Sequence, residues 1–185
     1  MRRIGILGGA FDPPHIGHLI IANEVRISLK LDEVWFIPSN VPPHKHPTKF
    51  GATDRVKMVE LAIENEPTFR VNTIEMERKG KSFTIDTMQT LRKNYPHDEF
   101  YFIIGADMVE YLPKWYQIDE LTKLVTFVGV ERPGFTLHKS PYHFIHVEVP
   151  FMDISSTLIR NRLEKREPIT YFVPDAVAAY IKERT

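Results

Sequence analysis

The chain has 185 residues, 43% hydrophobic and 26% charged, with 24 basic side chains against 24 acidic ones. That length suits one domain, 1–185, with a sizeable core and no need of a structural metal. Zero net charge argues against a general polyanion binder, which needs surplus Lys and Arg, and the absence of cysteine excludes disulfides, thiolate zinc sites and cysteine nucleophiles.

Residues 4–7 read as a buried strand that ends at Gly8 and Gly9. Arg2 and Arg3 precede it, but Gly8, Gly9, Asp12 and two prolines interrupt the apolar run too early for a signal peptide. No segment approaches the roughly 20 apolar residues that span a bilayer. A cytoplasmic protein without a membrane or nucleic-acid partner is therefore expected. Leu19, Ile20, Ala22, Val25 and Leu29 then have the spacing of one apolar helix face over 17–29. Residues 34–37 form a second strand stopped by Pro38, and 40–52, rich in Pro, His and Lys, reads as a mobile surface loop. Thr53-Asp54 opens a helix with Val56, Val59, Leu61 and Ile63 as its apolar positions, and 69–76 alternates like a strand. Ile85, Met88 and Leu91 mark a helix ending near Tyr95-Pro96. Residues 100–104 are the most apolar strand and run into Gly105-Ala106-Asp107, while 125–130 and 144–149 are two more strands. One helix follows Ser155 and another opens at Pro174-Asp175, where Pro lacks an N–H and Asp suits the positive helix end. This repetition predicts an α/β fold: a single Rossmann-like domain, its mainly parallel sheet covered by helices on both faces. Ligands of such sheets bind beyond the carboxyl ends of the strands. There is no internal repeat, low-complexity block or linker.

The first strand ends in Gly8-Gly9-Ala10-Phe11-Asp12-Pro13-Pro14-His15-Ile16-Gly17-His18. Small residues there let a ligand approach the backbone. The next helix begins near Ile16, so its free N–H groups and positive dipole end face the same space. His15 and His18, three residues apart, project to one side of it. Backbone donors, a positive pole and two imidazoles suit a phosphate. No Gly-Lys-Ser/Thr makes this a Walker A loop, and Gly5, Gly8 and Gly9 do not fit the dinucleotide fingerprint. The bland alternative is a tight turn with two surface histidines. Gly-Gly, the strand context and the paired imidazoles together outweigh it.

A second string, Ile154-Ser155-Ser156-Thr157-Leu158-Ile159-Arg160, places a serine where it can cap a helix. Its hydroxyls, free N–H groups and Arg160 lie within about one and a half turns and form another anion cradle. The planar guanidinium of Arg160 can bind two phosphate oxygens at once, whereas Arg162 and Arg166 read as solvated helix charges. His15, His18, His44 and His46 invite a zinc reading, but their spacing departs from H-E-x-x-H and the glycine-rich setting favours anions.

In this order the two strings resemble the signatures of the nucleotidylyltransferase superfamily, whose members join a nucleoside triphosphate to a phosphate-bearing acceptor and release pyrophosphate. Pro42-Pro43-His44-Lys45, Ser82-Phe83-Thr84-Ile85-Asp86-Thr87, Gly105-Ala106-Asp107 and Lys114-Trp115-Tyr116 extend the likeness over the whole length to the bacterial nicotinate-mononucleotide adenylyltransferases. The resemblance implies transfer of the adenylyl group of ATP to nicotinate mononucleotide, giving nicotinic acid adenine dinucleotide and pyrophosphate in NAD biosynthesis. Mg2+ would be bound mainly through the ATP phosphates. By the same resemblance His15, His18 and Arg160 would be catalytic. Gly8, Gly9, Ala10, Phe11, Gly105, Asp107, Ile154, Ser155, Ser156 and Thr157 would surround ATP. Thr84, Trp115 and Tyr116 would hold the nicotinate ring and carboxylate, and Ser39, Asn40, Lys45 and Arg132 would lie around the acceptor.

Local roles compete with these. Asp107 and Thr84 could cap or start helices, Trp115 and Tyr116 could pack, and Lys45 could be an exposed charge. Other readings are a related transferase using phosphopantetheine or CTP, and a non-catalytic nucleotide sensor. A third is an RNA-binding relative of the aminoacyl-tRNA synthetases, which share His-Ile-Gly-His but carry a lysine-rich second motif. Residue types fix neither the preference for acid over amide mononucleotide nor the oligomeric state; a homodimer is plausible by resemblance.

Overall fold

The computed structural model describes residues 1–40, 48–78, 83–131, 140–150 and 152–184. Lys45 and Arg132, with most of the expected loop at 40–52, lie outside the described residues.

Six strands form one parallel sheet: β1 (Arg3–Gly9), β2 (Glu33–Pro38), β3 (Phe69–Val71), β4 (Glu99–Gly105), β5 (Thr126–Val130) and β6 (Phe144–Val147), in the order β3-β2-β1-β4-β5-β6. Ile4 pairs with both Glu33 and Phe100, so β1 lies between β2 and β4 in the sheet. The chain moves outward from β1 to β3 and then returns to β4 on the other side of β1. That reversal opens a crevice beyond the carboxyl ends of β1 and β4, where Gly8-Gly9 and Gly105 sit.

Both faces are covered because nearly every residue of the central strands is apolar, which leaves no polar face for water. Ile4, Ile6, Phe100, Phe102 and Phe127 pack against Ile85, Met88 and Leu91 of α3 (Thr84–Asn94). Leu7, Phe36, Tyr101 and Ile103 meet Ala22 and Val25 of α1 (Ile16–Ser28) and Val59 and Ile63 of α2 (Ala52–Ile63). A third cluster joins Met58 of α2 to Ile159 of α6 (Ser156–Glu164) and to Val177 and Ile181 of α7 (Asp175–Lys182). At the amino ends of the strands, Arg2 donates to the Asp98 carboxylate at 2.6 and 3.1 Å and lies 5.7 Å from the Trp35 and Tyr95 rings.

Three expectations need correction. β3 stops at Val71 instead of running to 76, because the Asn72 side chain accepts from the Ile74 N–H at 3.1 Å and turns the chain. The last strand ends at Val147, not 149. After Gly105 the chain forms α4 (Ala106–Tyr111), a 3-10 turn (Leu112–Lys114) and α5 (Ile118–Leu121), elements too short to imprint a periodicity. Arg162 is more than a solvated charge, whereas Arg166 is exposed as expected. Arg162 donates to the Pro168 carbonyl at 2.7 Å with its guanidinium 5.1 Å from the Phe172 ring, and Arg166, at φ 57°, closes α6 in the left-handed region. Among the described residues no helix is long and apolar enough to cross a membrane.

Candidate active site

The turn between β1 and α1 is rigid for reasons its residues supply. Phe11 sits at φ 49°, a costly conformation for an aromatic residue, yet its side chain is only 2% exposed. Its ring meets Phe36 at 5.7 Å and stands edge-on to the His18 imidazole at 5.0 Å. His15 is the N-cap of α1 and is buried, and its ring stacks on that of His18 with centroids 3.7 Å apart. The His15 backbone N–H donates to His18 Nδ1 at 3.1 Å. An N–H can only donate, so in neutral His18 the ring proton resides on Nε2, on the opposite side of the ring.

The late serine string comes to the same corner. Ser155 caps α6 by accepting from the Leu158 N–H at 3.1 Å. The Ser156 hydroxyl donates to the Pro13 carbonyl at 2.8 Å, and Arg160 donates to the Asp12 carbonyl at 2.8 Å and to the Thr157 hydroxyl at 3.0 Å. Ile154 packs beneath them, its carbonyl 3.9 Å from where a Cβ on Gly17 would stand. The amino ends of α1 and α6, 140 residues apart in sequence, therefore abut through Asp12 and Pro13.

Two charged residues that the sequence did not single out build this corner. Asp12, 4% exposed, accepts from the backbone N–H groups of Lys49 at 2.8 Å and Phe50 at 2.9 Å, and its carboxylate lies 3.6 Å from Arg160. Arg55 of α2 is 1% exposed and donates to the carbonyls of Ala10 (2.6 Å), Ser39 (2.8 Å) and Asn40 (3.0 Å). Burial pulls its guanidinium below the usual range, and the nearby Asp12 charge opposes that shift. For Asp12 the available signal was its place between the glycines and the histidines. For Arg55 there was none, since a cation among apolar helix residues looks like a solvated position.

The remaining described candidates lie at or after the carboxyl ends of strands β1 to β4. The Gly9 carbonyl accepts from the Ser39 N–H at 2.9 Å and from its hydroxyl at 3.3 Å, while Gly8 pairs with Ile37 in the sheet. Gly105 ends β4 and precedes α4, in which Asp107 is the second residue. Asn40 donates to the Arg78 carbonyl at 2.9 Å, so its amide already holds protein. Thr84 is the first residue of α3. Trp115 is half-buried and packs edge-on against Phe102 and Phe127, whereas Tyr116 is exposed and meets Phe83 at 4.8 Å. Behind α3's first turn the Thr87 hydroxyl donates to Glu75 at 2.8 Å; burial pushes that carboxyl up, opposed by this hydrogen bond and by the Arg78 cation. The donors gathered at the α1–α6 corner are imidazole, guanidinium, hydroxyl and helix-terminal N–H groups, a set that matches anions.

A parallel sheet with a reversal beside β1, and imidazole, guanidinium and hydroxyl groups gathered at one corner, is an α/β enzyme architecture, and the comparisons give its class. A cytidylyltransferase-like family model matches residues 6–162, which takes in both strings. The nicotinate-nucleotide adenylyltransferase of Bacillus subtilis is 50% identical over 184 residues, 99% of this chain and 97% of that protein. A Bacillus pumilus protein described as "Probable nicotinate-nucleotide adenylyltransferase" is 55% identical over the same shares of the two chains. The solved nicotinic acid mononucleotide adenylyltransferase of Plasmodium falciparum, complexed with NaAD, has the same fold, with a TM-score of 0.84 at 22% identity over 100% of this chain and 96% of that one. The chain belongs to the nicotinate-nucleotide adenylyltransferase family and is an enzyme, a nucleotidyltransferase.

Proposed function

We propose that the α1–α6 corner grips the triphosphate of ATP while the acceptor is held along the edge that Ser39, Thr84, Trp115 and Tyr116 form. As a member of its family the chain transfers the adenylyl group of ATP to nicotinate mononucleotide, and pyrophosphate leaves. An oxygen of the acceptor phosphate attacks the α-phosphorus directly, so no enzyme nucleophile is needed. Catalysis then consists of aligning two anions and stabilising charge that grows on phosphoryl oxygens. His18, its Nδ1 satisfied by backbone, offers Nε2–H to the α-phosphate, and His15 lies against it. Arg160, Ser155, Ser156 and Thr157 hold the departing phosphates with the free N–H groups of α6. Gly8, Gly9, Ala10 and Phe11 shape the floor, and Gly105 and Asp107 receive the adenosine. Lys45 and Arg132 belong to the acceptor side in this reading.

The donors at this corner are cationic or neutral, which fits the phosphate shell of a magnesium–nucleotide complex; among the described residues no cluster of acidic or histidine side chains is large enough to hold a metal ion. Bound through the phosphates and water, Mg2+ would neutralise charge on the triphosphate. One catalytic unit spanning 1–185 is part of the reading, supported by a sheet that takes strands from residue 3 to residue 147 and by α6 and α7 packing on α2. A cytoplasmic setting and a homodimer complete it by resemblance. The observation that carries the proposal is the joining of Ser156 and Arg160 to Pro13 and Asp12 beside the stacked histidines. Incubation with ATP, Mg2+ and each acceptor in turn (nicotinate mononucleotide, its amide, phosphopantetheine), following pyrophosphate and dinucleotide, tests it. Product with nicotinate mononucleotide is the expected outcome; turnover of phosphopantetheine alone would reject the acceptor assignment.

A further inference from the structure

Arg55 is the bulkiest fully enclosed side chain among the described residues, and its neighbours on α2, Met58 and Val59, are both 0% exposed. No carboxylate of the described residues lies within ion-pair distance of it, and its Nε has no hydrogen-bond partner there. A buried charge held in this way is a poor stabiliser, because desolvation opposes it and a well-packed apolar residue would serve a helix face better. Its value lies in what the guanidinium spans. Nη1 bridges the Ala10 and Ser39 carbonyls at 2.6 and 2.8 Å, and Nη2 reaches the Asn40 carbonyl at 3.0 Å. Ala10 follows β1 and Ser39-Asn40 follow β2, so one rigid fork ties together the two segments that leave these neighbouring strands. Asn40 carries the tie onward to the Arg78 carbonyl at 2.9 Å, and Arg78 holds the first turns of α3 through the Asp86 carbonyl and the Thr87 and Thr90 hydroxyls.

We infer that Arg55 is a positioning residue for adenylyl transfer: it touches neither substrate and sets the separation between the ATP-bearing turn and the acceptor-bearing segment. The inference rests on the assignment of those two segments made under Proposed function. Lining up two anions for direct attack tolerates little displacement; a misplacement of about 1 Å can lower the rate on the order of 10²-fold. Each substrate by itself needs only its own segment, so binding should survive when the spacing is lost.

The test compares wild type with R55K and R55Q under saturating Mg2+. R55K keeps a cation and R55Q a neutral amide, and each has a single donor nitrogen on a shorter reach. Active sites are counted by binding of an ATP analogue with a methylene between the α and β phosphorus atoms, so partial folding is not mistaken for slow turnover. Expected is a KM for ATP and for nicotinate mononucleotide each within about threefold of wild type, with kcat per counted site lower by about 10²-fold in R55K and R55Q. The inference is overturned if R55K keeps kcat within threefold, if the loss sits in KM alone, if it vanishes after active-site counting, or if neither variant folds. Failure of the wild type to make dinucleotide would instead strike the functional reading, which separates the two.

Discussion

The His15 and His18 rings are stacked 3.7 Å apart and the His15 backbone N–H donates to His18 Nδ1, so an atom that displaces one ring disturbs the pair. Gly17 provides the means. A Cβ on it would stand 3.0 Å from His15 Nδ1 and 3.1 Å from Cε1, and the ring would have to retreat a few tenths of an ångström. Alanine favours a helix over glycine by up to about 1 kcal/mol, so G17A should leave the melting temperature unchanged or raised. Its kcat should nevertheless fall roughly tenfold, since alignment rather than folding is damaged. Steady-state kinetics beside a thermal melt distinguish these effects, and full turnover in G17A would show that the exact seat of His15 is unimportant. Removing the donor itself is more severe. H18A should lower kcat by about 10²–10³-fold at saturating substrates if the imidazole acts as an oxyanion-type donor; an unchanged kcat would remove His18 from the mechanism. The two histidines were legible in the sequence because they follow a Gly-Gly after a strand. Arg55 was not, because its partners are backbone groups of segments that come near only on folding.

Among the elements, α6 carries both its own anchor and the residues, Ser156 and Arg160, that reach the β1–α1 turn. Ile159, 0% exposed, plugs α6 into Met58 of α2 and Val177 and Ile181 of α7, while Arg160 on the next position reaches Asp12. I159A should cost about 2–5 kcal/mol of stability, the range for truncating a buried aliphatic side chain. It should also weaken ATP binding in the molecules that remain folded, because the helix end loses its seat; denaturant unfolding and analogue titration measure the two effects. A stable I159A with normal nucleotide affinity would mean that the α2–α6–α7 cluster does not position the cradle. Long amphipathic helices such as α1 and α3 were readable from spacing alone. The short α4 and α5 were hidden, since four to six residues hold too little of a 3.6-residue period, and β3 stopped early because Asn72 formed its own turn.

Across the whole molecule, β1 and β4 are pinned at the end opposite the crevice by Asp98, which accepts from the Arg2 guanidinium at 2.6 Å and from its backbone N–H at 2.9 Å. These contacts hold the Asp98 carboxyl below the usual carboxylate range, the Arg2 side-chain hydrogen bond contributing most. A group whose folded pKa is depressed stabilises fully above its unfolded value of about 3.9 and loses that contribution as pH falls through the lower folded value. Asp54, held down by Tyr180 and Arg184, adds the same sign at the α2–α7 contact. The melting temperature should therefore fall as pH drops below about 4. D98N should start lower at pH 7 and show a shallower acid dependence; an acid limb identical to wild type would mean that Asp98 does not contribute to it.

On its own the sequence determined the order and type of the main strands and helices, the parallel sheet and, through its two strings, the family. These are local properties, written in apolar period and in glycine, proline and serine placement within about a dozen residues. Only the tertiary structure decided that the two strings adjoin, that Asp12 and Arg55 brace them, and that Asn40 already holds protein. Those outcomes depend on which strand ends and helix ends the order β3-β2-β1-β4-β5-β6 brings within hydrogen-bond reach, and a hydrogen bond between residues 143 apart has no trace in local spacing.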